Sequence, residues 1–276
     1  MKKLLVCLLA LLFASLPALG NENLHLLVNA AAVEAKDAPS KDPSSDGRME
    51  GSGFASPEDA VTAYLEAMKA GDLSGMLSTF AIETYIQNVD AAASLERMRA
   101  FVPRDVLPLP LGGEYQRQIA TAVRCAELVD DLYLQMLTLS WPEAYSDSYN
   151  DMIVQFEDED GIDDFLAAMA DSDIDAMLQG LELTGFADPA ELSERYASEA
   201  VQQIIEKQRS AYGCDEIADV AALVTLGGEE YYQFMQCVRY GEKWYNFTQA
   251  GTLSHLMVAD SRNAGLVAVA DLEEDA

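Results

Sequence analysis

Two glycine turns near the C-terminus constrain the fold of this chain more than any other feature. Gly227-Gly228 and Gly241-Glu242 separate three segments between Glu216 and Phe247 in which residue character alternates at every second position. Gly-Gly and Gly-X are the dipeptides that two-residue hairpin turns require. The sequence therefore predicts a three-stranded antiparallel meander over residues 214–250.

The turn positions also predict which residues face each other across the strands. In the first hairpin Asp219 faces Gln236, and in the second hairpin Gln236 faces Phe247. One face is then expected to carry Ile217, Ala221, Leu223, Tyr232, Phe234, Val238, Tyr245 and Phe247. The other face is expected to carry Val220, Val224, Tyr231, Met235, Cys237 and Trp244.

Asp219 and Gln236 lie side by side in the middle of the first of these faces. A carboxylate beside an amide on an apolar surface must be hydrogen-bonded or hydrated. The functional interpretation makes Asp219 and Gln236 the polar floor of a ligand pocket, with Tyr232 as a further candidate ligand-binding residue, whereas buried polar pairs are usually structural. The alternatives are a satisfied structural pair, or a sheet whose opposite face is the buried one.

Upstream of the meander the chain is predicted to be mostly helical. Ser56-Pro57-Glu58-Asp59 combines an N-cap hydroxyl, a proline at the first helical position and acids in the first turn, and Gly71 ends this helix. A second helix follows Asp72. Further helices are predicted near Ala91–Phe101, Tyr115–Leu139, Ile162–Ala170, Ile174–Leu183 and Pro189–Arg209, with a strand at Met152–Phe156.

No metal site is expected. Asp171, Asp173, Asp175 and Glu182 match the acidic positions of a calcium-binding loop, but Ala176 occupies the position where the loop needs glycine. The apolar spacing through this stretch favours a helix instead. Beyond the leader the only histidines are His25 and His255, so a zinc site of Cys and His is excluded.

The N-terminus is typical of an exported bacterial protein. Residues 1–20 combine two lysines, an apolar run and small residues near Gly20, which predicts a cleavable signal peptide and no membrane span after cleavage. Residues 21–53 have the composition of a flexible tether. Residues 54–270 are expected to form one α+β domain, with the helical part at 54–212, and residues 271–276 a disordered tail.

Charge and motif content exclude several functions. The chain has 47 acidic and 17 basic residues, for a net charge of -30, which disfavours nucleic acid and anionic membrane surfaces as partners. No phosphate-binding glycine loop, GxSxG elbow or HExxH motif is present. We therefore assign no catalytic residue and no cofactor. Cys214 and Cys237 are too far apart along the meander to pair, so either a disulfide involves Cys125 or all three thiols are free.

The segments SPEDAVTAYLEAMKAGD (56–72) and RYGEKWYNF (239–247) resemble the two ends of a nuclear-transport-factor-2-like domain, of the cystatin-like, SnoaL-type superfamily. The resemblance implies a curved antiparallel sheet wrapped around helices in a cone with a cavity. The residues between Phe80 and Arg209 would then contain a large helical insertion. The superfamily includes isomerases, dehydratases, hydrolases and non-catalytic binders, so it assigns no activity.

Three functions are compatible with these observations. The first is a non-catalytic domain that binds a small hydrophobic ligand or a cell-envelope protein. The second is a small-molecule lyase, isomerase or hydrolase that uses a carboxylate base such as Asp219 in the sheet-lined cavity. The third is a helical protein-interaction module capped by the meander.

Overall fold

The computed structural model describes residues 48–99, 113–140, 159–171, 173–249, 251–257 and 265–274. The predicted strand at 152–156 lies outside these residues, as do the signal peptide and most of the tether. The described helices are α1 Pro57–Lys69, α2 Leu73–Ser78, α3 Glu83–Asn88, α4 Ala91–Met98, α5 Glu114–Ser140, α6 Glu159–Asp171, α7 Ile174–Gln179, α8 Pro189–Leu192, α9 Glu199–Tyr212, α10 Thr252–Met257 and α11 Val269–Glu274. The strands are β1 Glu182–Ala187, β2 Glu216–Leu226, β3 Glu229–Tyr240, β4 Lys243–Thr248 and β5 Leu266–Ala268.

The five strands form one curved antiparallel sheet in the order β1-β2-β3-β4, and the α+β class is confirmed. β4 and β5 share one edge of β3, because β4 pairs with its C-terminal half and β5 with residues 231–233. The first hairpin has the predicted register, with Asp219 opposite Gln236. The second differs beyond Cys237, because a bulge places Thr248 rather than Phe247 opposite Gln236.

The two faces of the sheet have the predicted composition, and the larger hydrophobic core lies on the face opposite Asp219. Val220, Met235 and Cys237 pack there with residues of α1, α2 and α5. The Asp219 face carries two smaller clusters. The first consists of Ala221, Phe234, Leu253 and Val267, and the second of Ala81, Cys214, Val238, Tyr245 and Phe247.

Helix boundaries follow the predicted caps. The hydroxyl of Ser56 accepts a hydrogen bond from the backbone N–H of Asp59, and the Asp72 carboxylate accepts one from Gly75. Two predicted helices are wrong in extent. The helix predicted to reach Leu183 ends at Gln179, and the following residues form β1, which pairs with β2. The helix predicted from Pro189 is divided into α8 and α9, because Ser198 caps a new start by accepting from Val201 N–H.

Both ends of the predicted domain extend further than expected. Residues 48–53, assigned to the tether, are packed on the domain: the Glu50 carboxylate is buried and accepts from the backbone N–H of Ile82 and Thr84 at 2.7 and 2.9 Å. Glu83 accepts from the backbone N–H of residues 49 and 50 in return. At the other end, residues 271–274 continue α11, and Leu272 packs beside the Asp219 face.

Cys125, Cys214 and Cys237 are buried and reduced, and burial raises the pKa of each thiol.

Among the described residues, no helix combines the length and apolarity needed to cross a membrane.

Candidate functional site

Asp219 and Gln236 occupy adjacent strands and are both buried, with exposed fractions of 6% and 1%. The Tyr196 hydroxyl donates to Asp219 Oδ2 at 3.1 Å. Oδ1 accepts from the backbone N–H of Leu253 and from Gln236 Nε2, both at 3.4 Å, which is long for a hydrogen bond. Asp219 therefore connects β2, β3, the segment after α8 and the first turn of α10.

The network continues from Gln236 to α9. Gln236 Nε2 also lies 3.4 Å from the Thr252 hydroxyl oxygen, and this hydroxyl donates to Gln208 at 3.0 Å. At Gly251 the backbone passes so close that a Cβ atom would lie 2.1 Å from Asp219 Oδ1. Both carboxylate oxygens of Asp219 thus accept hydrogen bonds from groups of the protein itself. This is the arrangement expected if Asp219 and Gln236 are a structural pair.

Burial is the largest influence on the pKa of Asp219 and raises it to about 6. The hydrogen bonds from Leu253, Tyr196 and Gln236 favour the ionised form and oppose part of this increase. Burial and the nearby carboxylate raise the pKa of Tyr196, so its hydroxyl keeps its proton and remains a donor.

Tyr232 is four residues from Gln236 along β3, so the two Cα atoms lie about 13 Å apart. Its ring stacks on Phe234 with centroids 5.8 Å apart. The structure brings Asp219 and Gln236 together as predicted and places Tyr232 in the neighbouring apolar cluster.

A second buried polar group, which we call the glutamine chain, consists of Tyr64, Gln135, Gln233 and Gln249. All four side chains are fully buried, with exposed fractions of 0%. They come from α1, α5, β3 and the residue after β4. This group was not predicted from the sequence, although the predicted register places Gln233 on the same face as Met235, where an amide among apolar residues indicates a buried polar contact.

The hydrogen bonds of the glutamine chain all point in one direction. Gln249 Nε2 donates to the Tyr64 hydroxyl at 2.7 Å, and this hydroxyl donates to Gln135 Oε1 at 3.1 Å. Gln135 Nε2 donates to Gln233 Oε1 at 2.6 Å, and Gln233 Nε2 donates to the backbone carbonyl of Phe234 at 2.9 Å. Since a carbonyl only accepts, the last bond sets the orientation of every preceding group.

The first group of the chain has an unused acceptor. Gln249 Oε1 is buried and has no hydrogen-bond partner among the described residues. The reverse orientation would require the side-chain amides of Gln249, Gln135 and Gln233 all to be rotated by 180°. Gln233 Oε1 would then face the carbonyl oxygen of Phe234, and two acceptors would be in contact. The observed orientation is therefore the only one that satisfies the internal bonds.

The face of α5 that carries Gln135 also carries charged residues. Arg124 donates through Nη2 to the backbone carbonyl of Phe247, and its guanidinium lies 4.8 Å from the centroid of the Phe247 ring and 5.7 Å from that of Tyr85. Burial raises the pKa of Asp131, an effect that Arg124 opposes. Burial also raises the pKa of Tyr64, with a smaller contribution from the charge of Asp131, so Tyr64 stays protonated.

The acidic stretch that matches a calcium-binding loop is divided between two helices and a strand, and its first residue, Asp171, ends α6. Asp173 caps α7 by accepting from Ala176 N–H at 2.9 Å, while Glu182 lies in β1. Within the described residues, no cluster of three or more His, Cys, Asp or Glu side chains is arranged to hold a metal ion.

Comparison with known proteins gives a structural similarity at low sequence identity. No protein-family model and no curated protein sequence matches the chain. Among solved structures, the chain is similar to a cystatin-like protein from Ruminococcus gnavus ATCC 29149, with 16% identity and a TM-score of 0.42. The alignment covers 77% of this chain and 44% of the other, so the chain spans less than half the length of that protein. A cystatin-like fold is also the type that residues 56–72 and 239–247 resemble.

Proposed function

We propose that the protein is an exported, non-catalytic domain that binds a small, largely apolar ligand, and that a polar group of this ligand contacts Gln249. The lysines and apolar run of residues 1–20 support export. The observation that carries the binding proposal is the Gln249 side-chain oxygen, which is buried without a partner among the described residues.

An unpaired buried amide oxygen destabilises a fold by about 1–3 kcal/mol. An apolar residue of similar length at position 249 would avoid this penalty, and so would a ligand that donates a hydrogen bond. Local conflicts of this kind are expected mainly at functional sites. Tyr64, which accepts a hydrogen bond from Gln249, contacts Phe80 edge to face with centroids 5.7 Å apart, and both rings belong to the main hydrophobic core.

We predict that Gln249→Met weakens ligand binding at least tenfold and changes the free energy of unfolding by about 1 kcal/mol or less. The substitution removes the unpaired oxygen but also the hydrogen bond to Tyr64, and these two effects oppose each other. Binding is measured by ligand-observed NMR with a library of uncharged small molecules. Hits of the wild-type protein are expected to weaken at least tenfold in the variant.

Gln236→Met is the matched control, because it removes a similarly buried amide whose Nε2 lies 3.4 Å from both Asp219 Oδ1 and Thr252 Oγ1. It should destabilise the fold and leave the binding of the same hits unchanged. The reverse pattern, with hits lost in Gln236→Met and kept in Gln249→Met, would place the ligand at Asp219 and Gln236. A wild-type protein without hits would overturn the binding proposal.

A second candidate function is acid–base catalysis by Asp219 on a small apolar substrate. The observation in its favour is the pKa of about 6, which lies near the value that a general base needs. The contacts of Asp219 with Tyr196, Leu253 and Gln236 account for the same carboxylate as a structural group. Catalysis requires turnover that disappears in Asp219→Asn, whereas the binding proposal requires none.

The third function, a helical interaction module, rests on exposed apolar side chains of α5. Tyr115, Ile119 and Tyr133 are 70%, 45% and 63% exposed. Their spacing is close to whole helical turns, so they lie on one side of the helix. The chain segments at both ends of α5 lie outside the described residues, and we therefore place this function last.

A further inference from the structure

We infer that the ligand group at Gln249 is an uncharged hydrogen-bond donor, and that the ligand class is a small alcohol or phenol with an apolar frame. This inference rests on the function proposed above. It concerns the chemistry of the contact atom, which the hydrogen-bond directions of the glutamine chain determine.

The acceptor character of Gln249 is imposed from the far end of the chain. The carbonyl of Phe234 requires a donor, so Gln233 presents Nε2 to it and Oε1 to Gln135. Gln135 must then donate through Nε2, which leaves Oε1 to accept from the Tyr64 hydroxyl. The oxygen of Tyr64 accepts in turn from one N–H of Gln249 Nε2, and Gln249 Oε1 is left without a partner among the described residues.

The Tyr64 hydroxyl is protonated, so it donates to Gln135 and its oxygen accepts from Gln249. Burial is the main reason that its pKa is raised, so the hydroxyl stays a donor toward Gln135 throughout the physiological pH range. Each bond along a chain of this kind also polarises the next. A ligand whose polar group is a carbonyl or ether oxygen would therefore leave Gln249 Oε1 without a donor.

The charge of the ligand is limited by burial. Gln249 is fully buried, and the transfer of an ion to such a site is strongly unfavourable unless a counterion accompanies it. An anion would in addition meet the negative potential of Asp131, which acts on the neighbouring Tyr64. An uncharged hydroxyl group satisfies the acceptor without either penalty.

Four probes with the same ring test the inference: cyclohexanol, cyclohexanone, cyclohexanecarboxylate and cyclohexylammonium. Binding is followed through the side-chain amide signal of Gln249 in ¹H–¹⁵N NMR spectra, identified by its absence in Gln249→Met. Cyclohexanol is expected to shift this signal and to bind at least tenfold more tightly than each of the other three. Its binding should be lost in Gln249→Met.

Tyr64→Phe tests the role of the chain itself. Without the hydroxyl, the amide of Gln249 is released from the imposed direction and can turn either end toward the ligand. The preference for cyclohexanol over cyclohexanone should then fall from at least tenfold to about onefold, while the Gln249 signal still responds to both probes. A preference that persists in this variant would overturn the proposed role of the glutamine chain.

Failure of this inference is distinguishable from failure of the proposed function. If cyclohexanone or a charged probe binds as tightly as cyclohexanol, and Gln249→Met abolishes that binding, the donor class is wrong and ligand binding at Gln249 stands. If no probe shifts the Gln249 signal and a crystal structure shows an ordered water on Gln249 Oε1, the inference is overturned. The proposed function falls with it only if the library screen also gives no hit that depends on Gln249.

Discussion

Gly265→Ala is expected to destabilise the protein by about 4 kcal/mol, which is at the upper end of single-residue effects. Gly265 has a φ of +77°, a left-handed conformation that disfavours any side chain by about 1–2 kcal/mol. An added Cβ would also lie 1.8 Å from the backbone oxygen of Gln249 and 2.5 Å from that of Phe234. Neither oxygen belongs to a flexible side chain, so the backbone of β5 must move away from β3.

Gly241→Ala is the control for this prediction, because Gly241 has a similar φ of +62° and no atom within 4 Å of an added Cβ. It should lose only about 1 kcal/mol from backbone strain. Chemical denaturation measures both free energies of unfolding. Hydrogen exchange should also accelerate at the Phe234 amide, which donates to Gly265 O at 2.7 Å, in the Gly265 variant alone. Equal losses for the two variants would contradict the steric argument.

The second large effect is a pH dependence of stability that comes from Asp219. Its pKa is about 6 in the folded protein and about 3.9 in an unfolded chain. Since the folded value is the higher one, the folded state binds the proton more tightly. The stabilising contribution of this group is complete below about pH 4 and is lost as the pH rises through 6. A difference of about two pKa units corresponds to ~3 kcal/mol.

Asp219→Asn isolates this contribution, because asparagine has the same shape and does not titrate. All other carboxylates titrate in both proteins, so their effects cancel when the two are compared at each pH. Between pH 4 and pH 7.5 the stability of the variant relative to wild type should increase by about 3 kcal/mol. Urea denaturation at several pH values provides the measurement. A difference that is constant with pH, or that changes in the opposite direction, would mean that Asp219 is not buried as an ionisable group.

Much of the sheet was predictable, because the signals that specify it act over a few residues. The glycine turns determined the register of β2 and β3, and that register placed Asp219 opposite Gln236. The second hairpin deviates at Phe247, where a bulge adds one residue. No local sequence pattern predicts such a bulge, because the bulge depends on which residues pack against the strand.

The helical part was predictable at its caps and less so at its interruptions. Ser56 and Asp72 cap helices as their side-chain chemistry predicts. The stretch from Glu182 to Ala187 becomes a strand because β2 offers it an unpaired edge, and that edge exists only in the folded sheet. The tether boundary is displaced for a similar reason, since Glu50 is held by backbone groups at the start of α3, more than thirty residues along the chain.

By itself, the sequence determined the α+β class, the meander, the meeting of Asp219 with Gln236 and the composition of each face, because turns, caps and alternation are local properties of a polypeptide. Only the tertiary structure decided that the larger core lies on the face opposite Asp219 and that Gln249 ends the glutamine chain with an unused acceptor. The reason is the distance between partners: Tyr64 bonds Gln135 and Gln249 across sequence separations of 71 and 185 residues. The orientation of the other hydrogen bonds in the glutamine chain determines which atom of the Gln249 amide has no partner. Those hydrogen bonds form only when the protein folds.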